Sequence, residues 1–226
     1  VVPEGVNGFS IEGMTVSQDG TQLLLAFRAP MTDTVTRETA FIVPLAISGL
    51  IGTGSPTIGT AVELNLGGRG IRSVEKSADG TGYLVLAGPA GAASVQVTHD
   101  FRLYRVSTDL ATVTELDVNL DTLRDTTLGS FETIVDVRNT STGTLVQLLQ
   151  DNGDTVWAGK SAASKDLPAT EQQFVGQWVA LGAEVTDAAG PTLAGSSPAD
   201  NAVNVGISSN LVLQFDEGVK AGSGSF

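Results

Sequence analysis

The chain has 226 residues, 41% of them hydrophobic and only 16% charged, which is enough apolar material for a packed core and excludes a disordered polypeptide. Lys and Arg number 12 against 25 Asp and Glu, a net charge of −13, and no basic run interleaved with aromatics offers a track for a nucleic-acid backbone. The absence of cysteine excludes disulfides, thiolate metal sites and a cysteine nucleophile, and no stretch reaches the roughly 18 consecutive apolar residues of a membrane-spanning helix.

Gly is abundant (27 residues), Thr, Val and Leu recur, and long runs of strong helix formers are missing, so the chain reads as all-β with short strands and turns. The first organised stretch is Gly8 to Pro30, GFSIEGMTVSQDGTQLLLAFRAP, an apolar strand, a polar turn at Asp19–Thr21 and a second strand, the pattern of a β-hairpin. Ala40 to Ile47 follows as a third strand, where Pro44 suggests a bulge or partial exposure. A Gly/Ser/Thr-rich loop leads to the fourth, Ala61 to Leu66. Four successive antiparallel strands in this length of chain amount to one propeller blade.

The hairpin returns as GRGIRSVEKSADGTGYLVLAGPA, Gly68 to Ala90, with Ile71 matching Ile11, Asp79-Gly80 matching Asp19-Gly20 and Phe101 matching Phe41. Phe101 to Ser107 and Thr112 to Val118 complete this second blade. A weaker third copy has strands at Ser130 to Val137, Thr142 to Asp151, Thr155 to Gly159 and Phe174 to Gly182, with a polar loop from Lys160 to Gln173 that could hold one helical turn at Ala169 to Gln173. The expectation is three four-stranded blades of about sixty residues over 1–182. A small-residue linker spans 183–190, and 191–226 begins a second module whose short strands open an Ig-like β-sandwich of about 100 residues without finishing it.

IEGM (Ile11–Met14), GRGIRSVE (Gly68–Glu75), LAGPAG (Leu86–Gly91), FRLYRV (Phe101–Val106) and KDLPATEQQFVGQWVALG (Lys165–Gly182) resemble the closing blades of bacterial β-propellers of the esterase-like phytase kind and of an uncharacterised relative. The tail, with SSPADNAVNV and LVLQFDE, resembles the opening of Ig-like modules repeated in bacterial surface-layer and adhesin-type proteins. The first resemblance implies a six- or seven-bladed ring. Three blades cannot close one, so the missing blades are expected elsewhere in the same longer chain, with another chain as the less favoured source.

In a propeller the starts of the innermost strands converge on the channel mouth. Here those positions are Glu12, Arg72 and Glu132. Glu12 and Glu132 are therefore candidate calcium ligands, while Arg72, Arg69 and Arg28 are candidates to grip an anionic small molecule. Against this stands the alternative that the same groups form salt bridges between blades. Asp151-Asn152-Gly153-Asp154 lacks the ligand spacing of a calcium loop and reads as a hairpin turn, and Glu115, Asp117, Asp121 and Asp125 read as a solvated acidic edge. His99 is the only histidine and no G-x-S-x-G occurs, which leaves serine-hydrolase chemistry unsupported. Trp157 and Trp178 are expected to pack between blades rather than to stack on sugars.

Two functions remain open. One is a noncatalytic module of an exported, extracellular or cell-surface multidomain protein, active in ligand binding, adhesion or surface assembly with other surface proteins as partners. The other is a calcium-dependent phosphoesterase with its site at the channel mouth. The resemblance to surface modules and the absent nucleophile favour the first.

Overall fold

The computed structural model describes residues 8–32, 39–50, 54–91, 100–127, 129–185, 192–199, 201–203, 205–206 and 208–215. The chain divides into two compact units, 1–185 and 186–226. Among the described residues of the first unit, three antiparallel sheets follow in chain order, and they do not close into a ring or barrel. The first sheet comprises β1 (Ser10–Val16), β2 (Gln22–Ala29), β3 (Ala40–Ala46) and β4 (Val62–Leu64). The second comprises β5 (Gly70–Lys76), β6 (Tyr83–Gly88), β7 (Arg102–Val106) and β8 (Val113–Leu116). The third comprises β9 (Ser130–Val135), β10 (Leu145–Asp151) and β11 (Val175–Ala180). In the second unit β12 (Leu193–Ser197) pairs with β13 (Val212–Phe215) as a two-stranded sheet.

The β1–β2 and β5–β6 hairpins turn by the same chemistry. The Asp19 carboxylate accepts from the Thr21 amide (3.0 Å) and hydroxyl (2.8 Å), and Asp79 does the same for Thr81 at 3.1 and 2.7 Å. The next residue must take a left-handed conformation, which Gly20 (φ +73°) and Gly80 (φ +78°) adopt without a Cβ clash. Hydrogen bonds from Ser17 and Thr21 hold the Asp19 carboxyl below its ordinary value, and those from Thr81 and Ser77 do so for Asp79.

The middle sheet is buried on both faces, and this is why β6 reads as the unbroken apolar run YLVLAG. Its side chains alternate between two cores. Tyr83, Val85 and Ala87 join Leu24, Ala26, Ile42 and Leu64 of the first sheet, while Leu84 and Leu86 join Phe131, Ile134, Val146 and Leu148 of the third. Each such fully buried Leu or Ile contributes about 1.5–3 kcal/mol over its exposed state. The inner strands β1, β5 and β9 lie side by side in that order.

Several expectations are corrected. The third sheet has three strands, not four: Thr155–Gly159 is a turn region, with the Lys160 amide bonded to the Trp157 carbonyl at 2.9 Å. A helix, α1 (Leu120–Thr127), links β8 to β9 where none was expected. The loop after β10 carries a 3-10 turn at Ser164–Asp166, and a hydrogen-bonded turn closes at Glu171 in place of a helical one. Pro44 is buried and lies opposite Leu24 without a bulge. Its carbonyl accepts from Gly59 (2.8 Å), and the edge beside it is met by the short segment ahead of β4, where Ile58 bridges Leu45. Register further shows that Ile42 and Leu103 are equivalent, through their partners Ala26 and Leu86, so Phe101 corresponds to Ala40 and not to Phe41.

The first unit also extends past Gly182. Residues Ala183 to Val185 run along β8: Asp117 donates to the Ala183 carbonyl and Val185 to the Glu115 carbonyl, both at 2.8 Å, about an isolated bridge between Leu116 and Glu184. This strap covers the outer edge of the second sheet, a sheet edge that would otherwise present unpaired groups. Residues 183–185 therefore belong to the first unit rather than to a linker.

Candidate functional site

The sixty-residue phase places Glu12, Arg72 and Glu132 on β1, β5 and β9, and each is the residue at which its strand slips register against the next. β1 slips first between Ser10 and Ile11 and again, across Glu12, between Ile11 and Gly13; the β5 slip falls between Ile71 and Ser73, and on β9 the partners jump from Thr133 to Phe131. A bulge re-aims the side chain it carries. The three side chains accordingly meet, as their spacing predicts.

Arg72 is the hub. Its Nη1 donates to Glu12 Oε2 at 3.2 Å and to both Glu132 oxygens at 2.9 Å, and its Nη2 donates to the Pro89 carbonyl at 3.0 Å. Arg28 takes the other side of the cluster, with Nη1 on Glu12 Oε1 (2.9 Å) and Nε on the same Pro89 carbonyl (3.1 Å). Ser10 adds a hydroxyl donor to Glu12 at 3.1 Å. The Arg72 side chain is only 6% exposed, and its guanidinium lies 5.9 Å from the centre of the Phe101 ring, which also carries Arg124 at 5.8 Å. Arg72 Nε, buried, has no hydrogen-bond partner. Burial pushes the Glu132 carboxyl above its ordinary value of 4.5, with Glu12 adding to the push and Arg72 pulling against it.

The cluster of two guanidinium groups and two carboxylates is electrically balanced. Each carboxylate already accepts from arginine, so a cation arriving at Glu12 and Glu132 meets Arg72 between them. Among the described residues no group of three or more His, Cys, Asp or Glu could hold a metal ion.

Arg69 does not join this cluster. It forms a two-pronged pair with Asp100 (Nε to Oδ1 2.8 Å, Nη2 to Oδ2 2.9 Å) and reaches the Leu66 carbonyl and the Tyr104 hydroxyl, both at 3.1 Å. Burial raises the Tyr104 hydroxyl well above its ordinary value, which leaves it a donor to Leu66 O (3.0 Å). Arg102, unremarked in the sequence, binds Asp100 (2.6 Å), Glu115 (3.3 Å) and Asp121 (3.1 Å). Glu115 and Asp121 are thus ion-paired rather than simply solvated. Burial alone would raise the Asp100 carboxyl, but Arg69 and Arg102 outweigh it and hold it below 3.8.

Neither a family model, a curated protein nor a solved structure matches the chain.

The remaining candidates lie elsewhere. His99 falls outside the described residues. Asn152 is buried, its amide donating to Thr155 Oγ1 (3.2 Å) and its carbonyl oxygen accepting from Val175 (2.9 Å), so the Asp151–Asp154 segment opens a long loop instead of a hairpin. Trp157 is half-buried with an unpartnered, buried indole N–H. Trp178 is 66% exposed on the outer face of the third sheet, contrary to the expected packing. With Val135 and Leu145 it lines a groove of about 650 Å³ rimmed by Asp136, Arg138 and Asn139.

Proposed function

We propose that the chain is a noncatalytic binding and assembly module of an exported, extracellular or cell-surface protein, its three sheets serving as consecutive blades of a β-propeller and its second unit as an Ig-like module. The observation that carries this reading is the internal balance of the Glu12–Arg72–Glu132 cluster: the polar groups at the inner strands bond one another, while the outer faces of the first and third sheets offer exposed apolar side chains. Internal pairing suits a scaffold that holds sheets in register, and exposed apolar faces suit association. Further blades would cover those faces. An anionic ligand at Arg28 and Arg72 would have to displace Glu12 or Glu132, so surface partners are favoured over small anions.

The alternative, a calcium-dependent phosphoesterase, draws on the gathering of two carboxylates and two arginines in one place. An assay with an aromatic phosphomonoester, with calcium and with chelator, separates the two. The module reading expects no turnover and the same melting temperature in both conditions. Chelator-sensitive turnover lost in Glu12→Gln/Glu132→Gln would replace it with the phosphoesterase.

A further inference from the structure

The two internal joints between sheets use equivalent positions. Leu24 and Ala26 of β2 face the second sheet, and Leu84 and Leu86 of β6 face the third. Strand register, which pairs Gly13 with Ala26, Ser73 with Leu86 and Thr133 with Leu149, makes Gln147 and Leu149 of β10 the next in this series. They share the outer face of the third sheet with exposed Trp178 and Leu145. On the receiving side, Val74 and Ile134 are buried in their joints, whereas their counterpart Met14 is 59% exposed. One stacking face and one receiving face are thus left over, continuous with joints already formed.

Charge decides what fits. At each joint the bulge residue of one sheet meets that of the next, and the order is acid, base, acid: Glu12 to Arg72, then Arg72 to Glu132. A second copy stacked on the third sheet would bring its Glu12 to Glu132, carboxylate against carboxylate, in a chain of net charge −13. A sheet with arginine at that position would instead repeat the existing joint. Building on the blade reading above, we infer that the outer face of the third sheet accepts a further antiparallel sheet presenting a guanidinium at the bulge position opposite Glu132, and that Glu132 and Glu12 together bar a second copy of this chain.

A charge-swapped chain provides the probe. Glu12→Arg, Arg28→Glu, Arg72→Glu and Glu132→Arg together preserve the internal pairs with signs reversed and put a guanidinium on the receiving face. In sedimentation velocity at micromolar concentration, wild-type and swapped chains should each run as monomers and their equimolar mixture should at least double in mass. Trp178→Lys introduced into both partners should weaken that association tenfold or more. Wild-type chains that dimerise as readily as the mixture would make a second copy the occupant, and a mixture that stays monomeric would show that no such sheet is accepted. Either result overturns the inference. If circular dichroism shows the swapped chain unfolded, Glu132→Gln in the wild type takes its place. It should gain self-association that Trp178→Lys removes, and a persistent monomer overturns the inference equally. Chelator-sensitive phosphatase activity in these samples would sink the noncatalytic reading alone, so the two failures are distinguishable.

Discussion

Arg72 is one cation serving two carboxylates and a backbone carbonyl with almost no access to water. Removing it by Arg72→Met leaves Glu12 with Arg28 but strips Glu132 of the arginine that offsets its burial. Breaking one side of such a partly buried network costs about 3 kcal/mol, which urea denaturation would read directly. Adding Glu132→Gln should return most of the loss, because the uncompensated charge disappears with it. Arg72→Lys should rescue poorly, since an ammonium cannot span both carboxylates and the Pro89 carbonyl as the planar fork does. The meeting of residues 12, 72 and 132 was legible in the sequence because a repeat fixes equivalent positions. The capture of Arg69 by Asp100 and of Arg28 by Glu12 was not, because those partners occupy non-equivalent places and only strand register brings them together. Trp178 misled for a different reason: a large aromatic on a strand reads as core, but burial depends on whether a sheet lies opposite.

Among the elements, the strands were readable wherever alternation met an Asp-Gly turn. They were misread in the third repeat, where Thr155, Val156 and Trp157 have strand composition but follow a turn closed by the Thr155 amide on the Asn152 carbonyl (2.9 Å). Helix α1 did leave a signal: Asn119 Oδ1 accepts from the Thr122 amide at 3.0 Å, an N-cap, with Leu120 buried and Leu123 packed against the core behind it. The strap along β8 left almost none, yet it depends on one residue. A Cβ on Gly182 would sit 1.8 Å from the Asp117 carbonyl oxygen. Gly182→Ala should therefore push the strap off its edge and destabilise the unit by about 1–3 kcal/mol. Hydrogen exchange provides the sharper check: the Asp117 and Val185 amides should lose protection while those of β6 keep theirs. Uniform loss across β6 would mean that the strap is part of the global fold rather than a local closure.

At the scale of the whole molecule, the acidity of the chain and its burial of carboxyls act in one direction. Burial, reinforced by Asp136, raises the Glu75 carboxyl above 4.5, and burial raises Glu132 likewise. A group whose folded value is raised contributes stability that is complete below its unfolded value and is lost as pH rises through the folded one. Asp100 behaves oppositely: held below 3.8, it contributes above that value and loses its contribution as pH falls through its folded value. The Glu75 and Glu132 contributions should therefore decline as pH rises above 4.5, where the net charge of −13 adds general repulsion, while those of Asp100, Asp19 and Asp79 should be lost as pH falls below 3.8. Melting temperature against pH in dilute solution reads this, since each kcal/mol shifts the midpoint of a chain this size by about 2–4 °C. Salt separates the contributions, because it screens the surface repulsion and leaves the buried carboxyls largely untouched. Glu75→Gln should accordingly raise the melting temperature at neutral pH, persist in high salt and make no difference below pH 4.5. A variant that melts with the wild type at neutral pH would show that burial of Glu75 costs the fold nothing.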